Sequence, residues 1–250
     1  MAWAHGRLVA EAFDVKAPIG HSYGDVEYYT RHLAGTTGRI LEVGSGTGRI
    51  LIRLLQAGLD VEGLEHSPDM IAVCRANCQE RGLDPVLHEG DMTIFVSERA
   101  YETIIAPAGV INSLDGREDT MRALDCFRRS LIPGGRLIVD LEIPGMLTGP
   151  QPLRVWHRGD HLWAVDVTHS EFDPSAGQAL DYVRYDRWMN GALESSELHI
   201  FRTQHWVPDQ FADLLEKVGF TDIRVTANYD DNASPGKNDR DWTVHSVLAP

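Results

Sequence analysis

The sequence predicts an α/β fold: an open, mostly parallel sheet with helices on both faces, into which an antiparallel meander is inserted. Three observations carry this. From residue 38 short β-branched runs alternate with helical patterns, as parallel strands joined by crossover helices require. A glycine-rich turn joins the first of those strands to its helix. From 153 to about 206 the apolar period drops to two, with turn formers between long alternating stretches. With 250 residues, 43% of them apolar, the chain can bury a core of its own as one large domain.

The elements follow in order. RILEV (39–43) reads as a first strand, and RILIRLLQAG (49–58) as a helix with Ile50, Leu51, Leu54 and Leu55 on one face. DVEGLE (60–65) is a second strand. Ser67-Pro68-Asp69 then supplies a cap, a first-turn proline and a carboxylate at the positive end of a helix running to about Arg81. PVLHEG (85–90), YETIIAPAG (101–109) and GGRLIVDLE (134–142) are the third, fourth and fifth strands, with a helix near 118–131 before the fifth. The meander comprises PLRVWHR, HLWAVDVTHSEF, ALDYVRYDRWM and ALESSELHIFRTQHW, parted by Gly159-Asp160, Asp173–Gly177 and Asn190-Gly191. A helix with Phe211, Leu214, Leu215 and Val218 on one face ends at Gly219. FTDIRVTA (220–227) and WTVHSVLA (242–249) follow as strands, parted by a polar loop at 229–241. The organisation expected is an N-terminal helical cap (1–37), a core (38–150 and 207–250) and an antiparallel lid (151–206).

Charge narrows the partners. Lys plus Arg number 23 against 37 Asp plus Glu, a formal charge of −14, and such a surface repels phosphate backbones and anionic bilayers. Nucleic acid and membrane are therefore not expected as partners. No run approaches a membrane span and MAWAHGRLVAEAFD lacks a signal peptide's apolar core, so a cytoplasmic protein is expected. The three cysteines, Cys74, Cys78 and Cys126, lack zinc-site or disulfide spacing. Cys74 and Cys78, four apart on a helix, read as a buried thiol pair although that spacing could hold a metal.

Function concentrates in Glu42-Val43-Gly44-Ser45-Gly46-Thr47-Gly48-Arg49. A strand, glycine loop and helix bring backbone close to a ligand and aim helix N–H groups at it. The dinucleotide fingerprint needs its third glycine at position 49, which is Arg49, so the spacing disfavours NAD. Here the chain resembles the class I S-adenosylmethionine-dependent methyltransferases, whose Rossmann-like fold has a seven-stranded sheet. Glu42 to Gly48 matches their first motif, under the methionine part of the cofactor. Glu65 matches the acidic residue that accepts both ribose hydroxyls, and Gly90-Asp91-Met92 resembles the adenine element. Ala106-Pro107-Ala108-Gly109 follows the strand where that family sets cofactor and acceptor side by side, and Pro133-Gly134-Gly135 is a further shared feature. The resemblance thus implies S-adenosylmethionine as cofactor. The implied contacts are Tyr29, Glu42, Gly44, Ser45, Gly46, Thr47, Gly48, Arg49, Glu65, His66, Met70, Asp91, Met92, Ala106 and Pro107.

The acceptor is narrowed by what is missing. The Asn/Asp-Pro-Pro-aromatic tetrad of enzymes acting on planar nitrogens is replaced by Ala106–Gly109, which disfavours nucleobases and glutamine. Asp115 lies well past that loop, so no metal is expected. Ser113-Leu114 stands where similar small-molecule enzymes carry His-Leu, removing the obvious base. The expected activity is transfer of a methyl to nitrogen or oxygen of a small polar or heteroaromatic metabolite, with secondary metabolism as the expected setting, by a monomer or homodimer. The alternatives are a non-catalytic adenosylmethionine sensor and a protein methyltransferase. The resemblance places Tyr29 on the cofactor carboxylate and Tyr23 over the methyl. Asn112 is a candidate for orienting the acceptor, and His169, sharing a face with Trp163, Val165 and Val167, and His199, sharing one with Phe201, are candidate bases.

Overall fold

The computed structural model describes residues 5–143, 151–236 and 239–249; the expected boundary at 150 and the first residues of the cap lie outside them. Helices α1 (Arg7–Lys16) and α2 (Asp25–Leu33) precede β1 (Ile40–Val43), α3 (Leu51–Gln56), β2 (Val61–Glu65), α4 (Pro68–Gln79), β3 (Leu87–Glu89) and β4 (Tyr101–Ala106). A 3₁₀ turn (Val110–Ser113), α5 (Gly116–Ser130) and β5 (Leu131–Glu142) follow. The chain then runs through β6 (Arg154–Arg158), β7 (His161–Asp173), β8 (Gln178–Met189), β9 (Ala192–Gln204), α6 (Pro208–Val218), β10 (Phe220–Ala227) and β11 (Asp241–Leu248).

The seven-stranded sheet has the order β10-β11-β5-β4-β1-β2-β3, with β11 antiparallel to both its neighbours. The strand β1, the Thr103–Ala106 end of β4 and the Leu137–Leu141 part of β5 are buried and mostly apolar, as strands covered on both faces are. Two apolar clusters cover its two sides, one built on Leu41, Leu124, Phe127 and Phe211, the other on Tyr29, Leu33, Leu51 and Ile105. β3 is shorter than expected because it pairs only with β2, at the sheet's edge. β4 stops at Ala106, where Pro107 ends the ladder and Ala108 and Gly109 both take positive φ.

The meander forms a second sheet in the order β6-β7-β8-β9. Asn190 and Gly191 both have positive φ, the signature of the tight primed turn that their sequence predicts. The inner face of this sheet, Trp163, Val165, Val167, Val183 and Tyr185, packs on Leu8, Val9, Ala12 and Val15 of α1, which in turn lies against Met70 of α4. Asp14 fixes the sandwich by accepting hydrogen bonds from Asn77 (2.8 Å) and Arg158 (2.6 Å). Among the described residues no helix is long and apolar enough to cross a membrane.

Candidate functional site

The sheet reverses its winding between β1 and β4, and the crevice at the carboxyl ends of the strands there is where open α/β sheets bind ligands. A cavity of about 450 Å³ occupies that position. Its floor is the loop after β1. Gly44, Gly46 and Gly48 take φ of 68°, 54° and 90°, and a Cβ on Gly44 would collide with Val110 Cγ2 and sit 3.0 Å from its Cβ. The loop is tied down by Gly44 N donating to Leu64 O (2.7 Å) and by the Glu65 carboxylate. Glu65 accepts from Gly46 N (2.9 Å) with one oxygen and from His66 N (2.8 Å) and Ser67 N (2.9 Å) with the other.

Glu42 closes the far wall. Complete burial holds its carboxyl well above the usual carboxylate range, and Oε2 has no hydrogen-bond partner among the described residues. Arg49 lies beside it. Asp25 of α2 grips the Arg49 guanidinium with both oxygens, at 2.9 and 2.5 Å. Burial works to raise the Asp25 pKa, but the Arg49 hydrogen bonds and charge overcome it and hold the carboxyl low. The exposed Tyr23 ring lies 5.2 Å from the Arg49 guanidinium, at the mouth of the cavity.

At the other end Asp91 uses Oδ1 to accept from Thr93 N and Oγ1 (both 2.8 Å), which sets the turn that presents Met92 to the cavity. Beside them the Pro107-Ala108-Gly109 turn is held from beneath. Buried Asp140 accepts from Ala108 N (2.8 Å), Tyr229 OH (2.9 Å) and Thr243 Oγ1 (2.9 Å). Burial pushes the Asp140 carboxyl up to about 6, with these bonds pulling the other way.

A second cavity of about 330 Å³ lies under the roof formed by β6–β9 and adjoins the first through Phe13, Glu142, Phe201 and Thr203. Its walls include Phe172, Tyr185 and two carboxylates, Glu142 and Asp181, together with Arg154 and Arg240. Burial, reinforced by the negative Asp181 and opposed by Lys16, pushes the Glu142 carboxyl up to about 7. Its side chain accepts no hydrogen bond from the described residues, whereas Asp181 accepts from Ser170 Oγ.

Of the expected cofactor contacts, Glu42, Gly44, Ser45, Gly46, Thr47, Arg49, Glu65, His66, Met70, Asp91, Met92 and Pro107 line the first cavity. Gly48 and Ala106 sit behind it. A Cβ on Gly48 would lie 2.8 Å from Cys74 Sγ, so this glycine serves loop packing, and Ala106 is wholly buried in β4. Tyr29 does not line the cavity; α2 turns it inward, wholly buried among Leu33, Ile40 and Ile105, with its hydroxyl beside Asp140 but without a well-formed hydrogen bond.

The expected acceptor-side residues divide in the same way. Tyr23 is at the cavity. Asn112 is not: it is wholly buried, donating to Gln204 O (2.8 Å) and accepting from Glu142 N (3.0 Å), which makes it a structural clamp. His169 faces the wrong way. A bulge between Val167 and His169 inserts one residue, so Val167 opposes Val183 on the inner face while His169 opposes Tyr182 on the outer, where it pairs with Glu171 (2.8 Å). His199 does share the inner face with Phe201, but it is turned to Glu197 (3.0 Å) and lines neither cavity.

Several lining residues have no counterpart in the sequence expectations. Among them His5, packed at a tilt between Phe13 and Phe201, has its pKa lowered to about 4 by burial and by His199 and His66. Lys16, Glu142, Asp181 and His205 are others. Glu142 had a readable signal: Asp140 and Glu142 both close a strand buried on each face, which has no solvent side to take a carboxylate. The three cysteines are free and buried, and among the described residues no group of three or more His, Cys, Asp or Glu is arranged to hold a metal.

These contacts match the groups that S-adenosylmethionine presents. A three-point-anchored carboxylate at Glu65, an unpartnered buried acid at Glu42, an unpartnered Ser45 Oγ and a floor with no room for a Cβ at Gly44 are what a ribose diol, an ammonium and a closely approaching sulfonium call for. The residues present fit the group.

Residues 40–135 match the family described as "Methyltransferase domain". Over 137 residues the chain is 32% identical to dTDP-3-amino-3,6-dideoxy-alpha-D-glucopyranose N,N-dimethyltransferase of Streptomyces fradiae, a match covering 53% of this chain and about half, 52%, of that relative. In structure it is similar to an S-adenosylmethionine-dependent methyltransferase of Clostridium acetobutylicum, with a TM-score of 0.78 at 14% identity, covering 96% of this chain and 98% of the other. It is also similar to the sugar N-methyltransferase KedS8 of Streptoalloteichus, with a TM-score of 0.75 at 18% identity over 100% of this chain and 95% of that one.

Proposed function

We propose, from the match of residues 40–135 to the family described as "Methyltransferase domain" and from the site above, that the chain is a class I S-adenosylmethionine-dependent methyltransferase that methylates an amine nitrogen of a small polar acceptor, amino sugars being the class its relatives suggest. The observation that carries this is the second cavity: aromatic-walled, lined by Glu142 and Asp181, and adjoining the first cavity through Phe13, Glu142, Phe201 and Thr203. Two buried carboxylates favour an ammonium over a neutral hydroxyl, which supports nitrogen as the acceptor atom.

Glu65 would accept the ribose hydroxyls, Asp91 and Met92 would flank the base, and Glu42 with Arg49 would take the charged methionine end. Bound there, S-adenosylmethionine supplies a methyl carbon already activated on a sulfonium. The chain contributes position and dryness. The glycine loop lines the first cavity and Gly109 lies against Glu142 where the two cavities adjoin, and fixing two reactants in adjoining cavities converts a bimolecular step into a unimolecular one. The β6–β9 roof covers the acceptor side, which suits a small molecule better than a peptide lying in an open groove. Cationic Lys16 and Arg154 on the walls suit an acceptor that also bears an acidic group.

Calorimetric titration with S-adenosylhomocysteine, followed by mass spectrometry of amine and alcohol panels incubated with S-adenosylmethionine, tests the proposal. Binding together with methylated amines is the expected result. No cofactor binding, or methylation confined to alcohols, would overturn it, and binding without turnover across both panels would favour a sensor.

A further inference from the structure

We propose that Glu142 is the proton acceptor of this site: it receives the acceptor's ammonium where the two cavities meet and takes the proton that must leave before nitrogen can act as a nucleophile. The proposal rests on the amine reading above and adds a catalytic residue to it. Glu142 is the one carboxylate among the described residues that lines both cavities. It ends β5, directly beside the turn after β4. A Cβ on Gly109 would lie 3.0 Å from Glu142 Cδ, so the absence of a side chain at 109 is what leaves room for the carboxylate at the junction.

The surroundings suit the task. Burial removes the water that would otherwise hold Glu142 ionised, and an acid poised near neutrality is the most effective base near neutral pH. The charged and titratable groups that face it come from every element packed around it: Lys16 from the end of α1, Asp181 from β8, Arg154 from β6, His205 after β9, and Arg240. Asp181 raises its proton affinity and Lys16 lowers it, and the His205 ring meets only its backbone carbonyl, at 3.3 Å. Asp181 accepts from Ser170 Oγ and adds negative potential at Glu142. The rings of Phe13, Phe201 and Tyr185 supply apolar and π surface to the body of an alkylammonium.

The step balances without a co-reactant. One N–H bond of the ammonium breaks and an O–H bond forms on a Glu142 carboxylate oxygen, while the electron pair stays on nitrogen. The proton then passes to solvent through the cavity mouth.

The test uses the whole chain saturated with S-adenosylhomocysteine and two isosteric probes, cyclohexylamine and cyclohexanol, with affinities read by NMR titration. At about pH 8, with Glu142 ionised, the amine is expected to bind at least about tenfold more tightly than the alcohol. Near about pH 5.5, with Glu142 protonated and the amine still charged, that preference should fall several-fold. Glu142→Gln should abolish the preference at both pH values while leaving S-adenosylhomocysteine affinity within about threefold, and Glu142→Asp should restore part of it. Equal binding of the two probes at the higher pH, or a Gln variant that keeps the preference, would overturn the proposal. Failure of the parent chain to bind S-adenosylhomocysteine would instead sink the methyltransferase reading beneath it, and the proposal with it.

Discussion

Glu65→Gln is the most informative single substitution, because the side chain has two jobs that an isostere separates. Its carboxylate accepts from three backbone amides, Gly46 N at 2.9 Å through Oε2 and His66 N and Ser67 N at 2.8 and 2.9 Å through Oε1. A glutamine amide has one acceptor oxygen. Its best placement keeps that oxygen on His66 and Ser67, which leaves an NH₂ group facing Gly46 N, donor against donor. One hydrogen bond to a charged group, about 1.5–3 kcal/mol, is lost and the other two fall to neutral strength, so folded stability should drop by roughly 2–4 kcal/mol. The glycine loop should loosen even without ligand, and S-adenosylhomocysteine affinity should fall by more than about tenfold. Urea unfolding, hydrogen exchange at the Gly46 amide and calorimetry measure the three effects. If exchange at Gly46 and the urea midpoint match the parent while affinity alone falls, Glu65 does not anchor the loop and the argument fails.

Three further outcomes are expected. Gly44→Ala should cost about 2–4 kcal/mol, part from a left-handed φ and part from overpacking against Val110. Adding Val110→Ala should recover at least about 1 kcal/mol of it, and strict additivity in a urea double-mutant cycle would refute the collision. Glu142→Gln should be stabilising at high pH. With a native pKa near 7 against an ordinary 4.5, the native state holds the extra proton between those values, so parent stability falls as pH rises through that window. The variant's advantage should grow to at most about 3 kcal/mol by about pH 8 and vanish below about pH 4.5, and an advantage that does not change with pH would contradict the assignment. Arg49→Lys should lose the bidentate grip on Asp25. An acid-unfolding midpoint shifted upward checks this, since Asp25 would no longer be held low.

The parts legible in the sequence are those where one residue type has one physical use. Asn190-Gly191 can form a primed hairpin turn, Pro208 to Gly219 delimits a helix, and the glycines at 44, 46 and 48 serve a turn that no side chain tolerates. Glu65 is legible only through the resemblance, since an acid at a strand end has several uses; its three backbone partners come from the fold. What escaped depends on contacts distant in sequence or on a local count. One extra residue near 168 reverses the face of His169, which no alternation pattern registers. Tyr29 lies on the helix face that meets Leu33 and Ile105, a choice fixed by packing across more than seventy residues. Asn112 has a plausible polar environment either way, and only the approach of Gln204 and Glu142 makes it a clamp. α1 itself becomes a structural filler between α4 and the roof because Leu8, Val9, Ala12 and Val15 find Trp163 and Val183.

That clamp carries a mechanical consequence. Asn112 joins the end of β9, through Gln204 O, to the backbone of Glu142 at the end of β5. The ceiling over the acceptor and the strand tip that carries the carboxylate are thereby joined through a single amide group. Asn112→Ala should therefore uncouple the two, and faster hydrogen exchange at the Glu142 amide, whose partner Asn112 supplies, would report it.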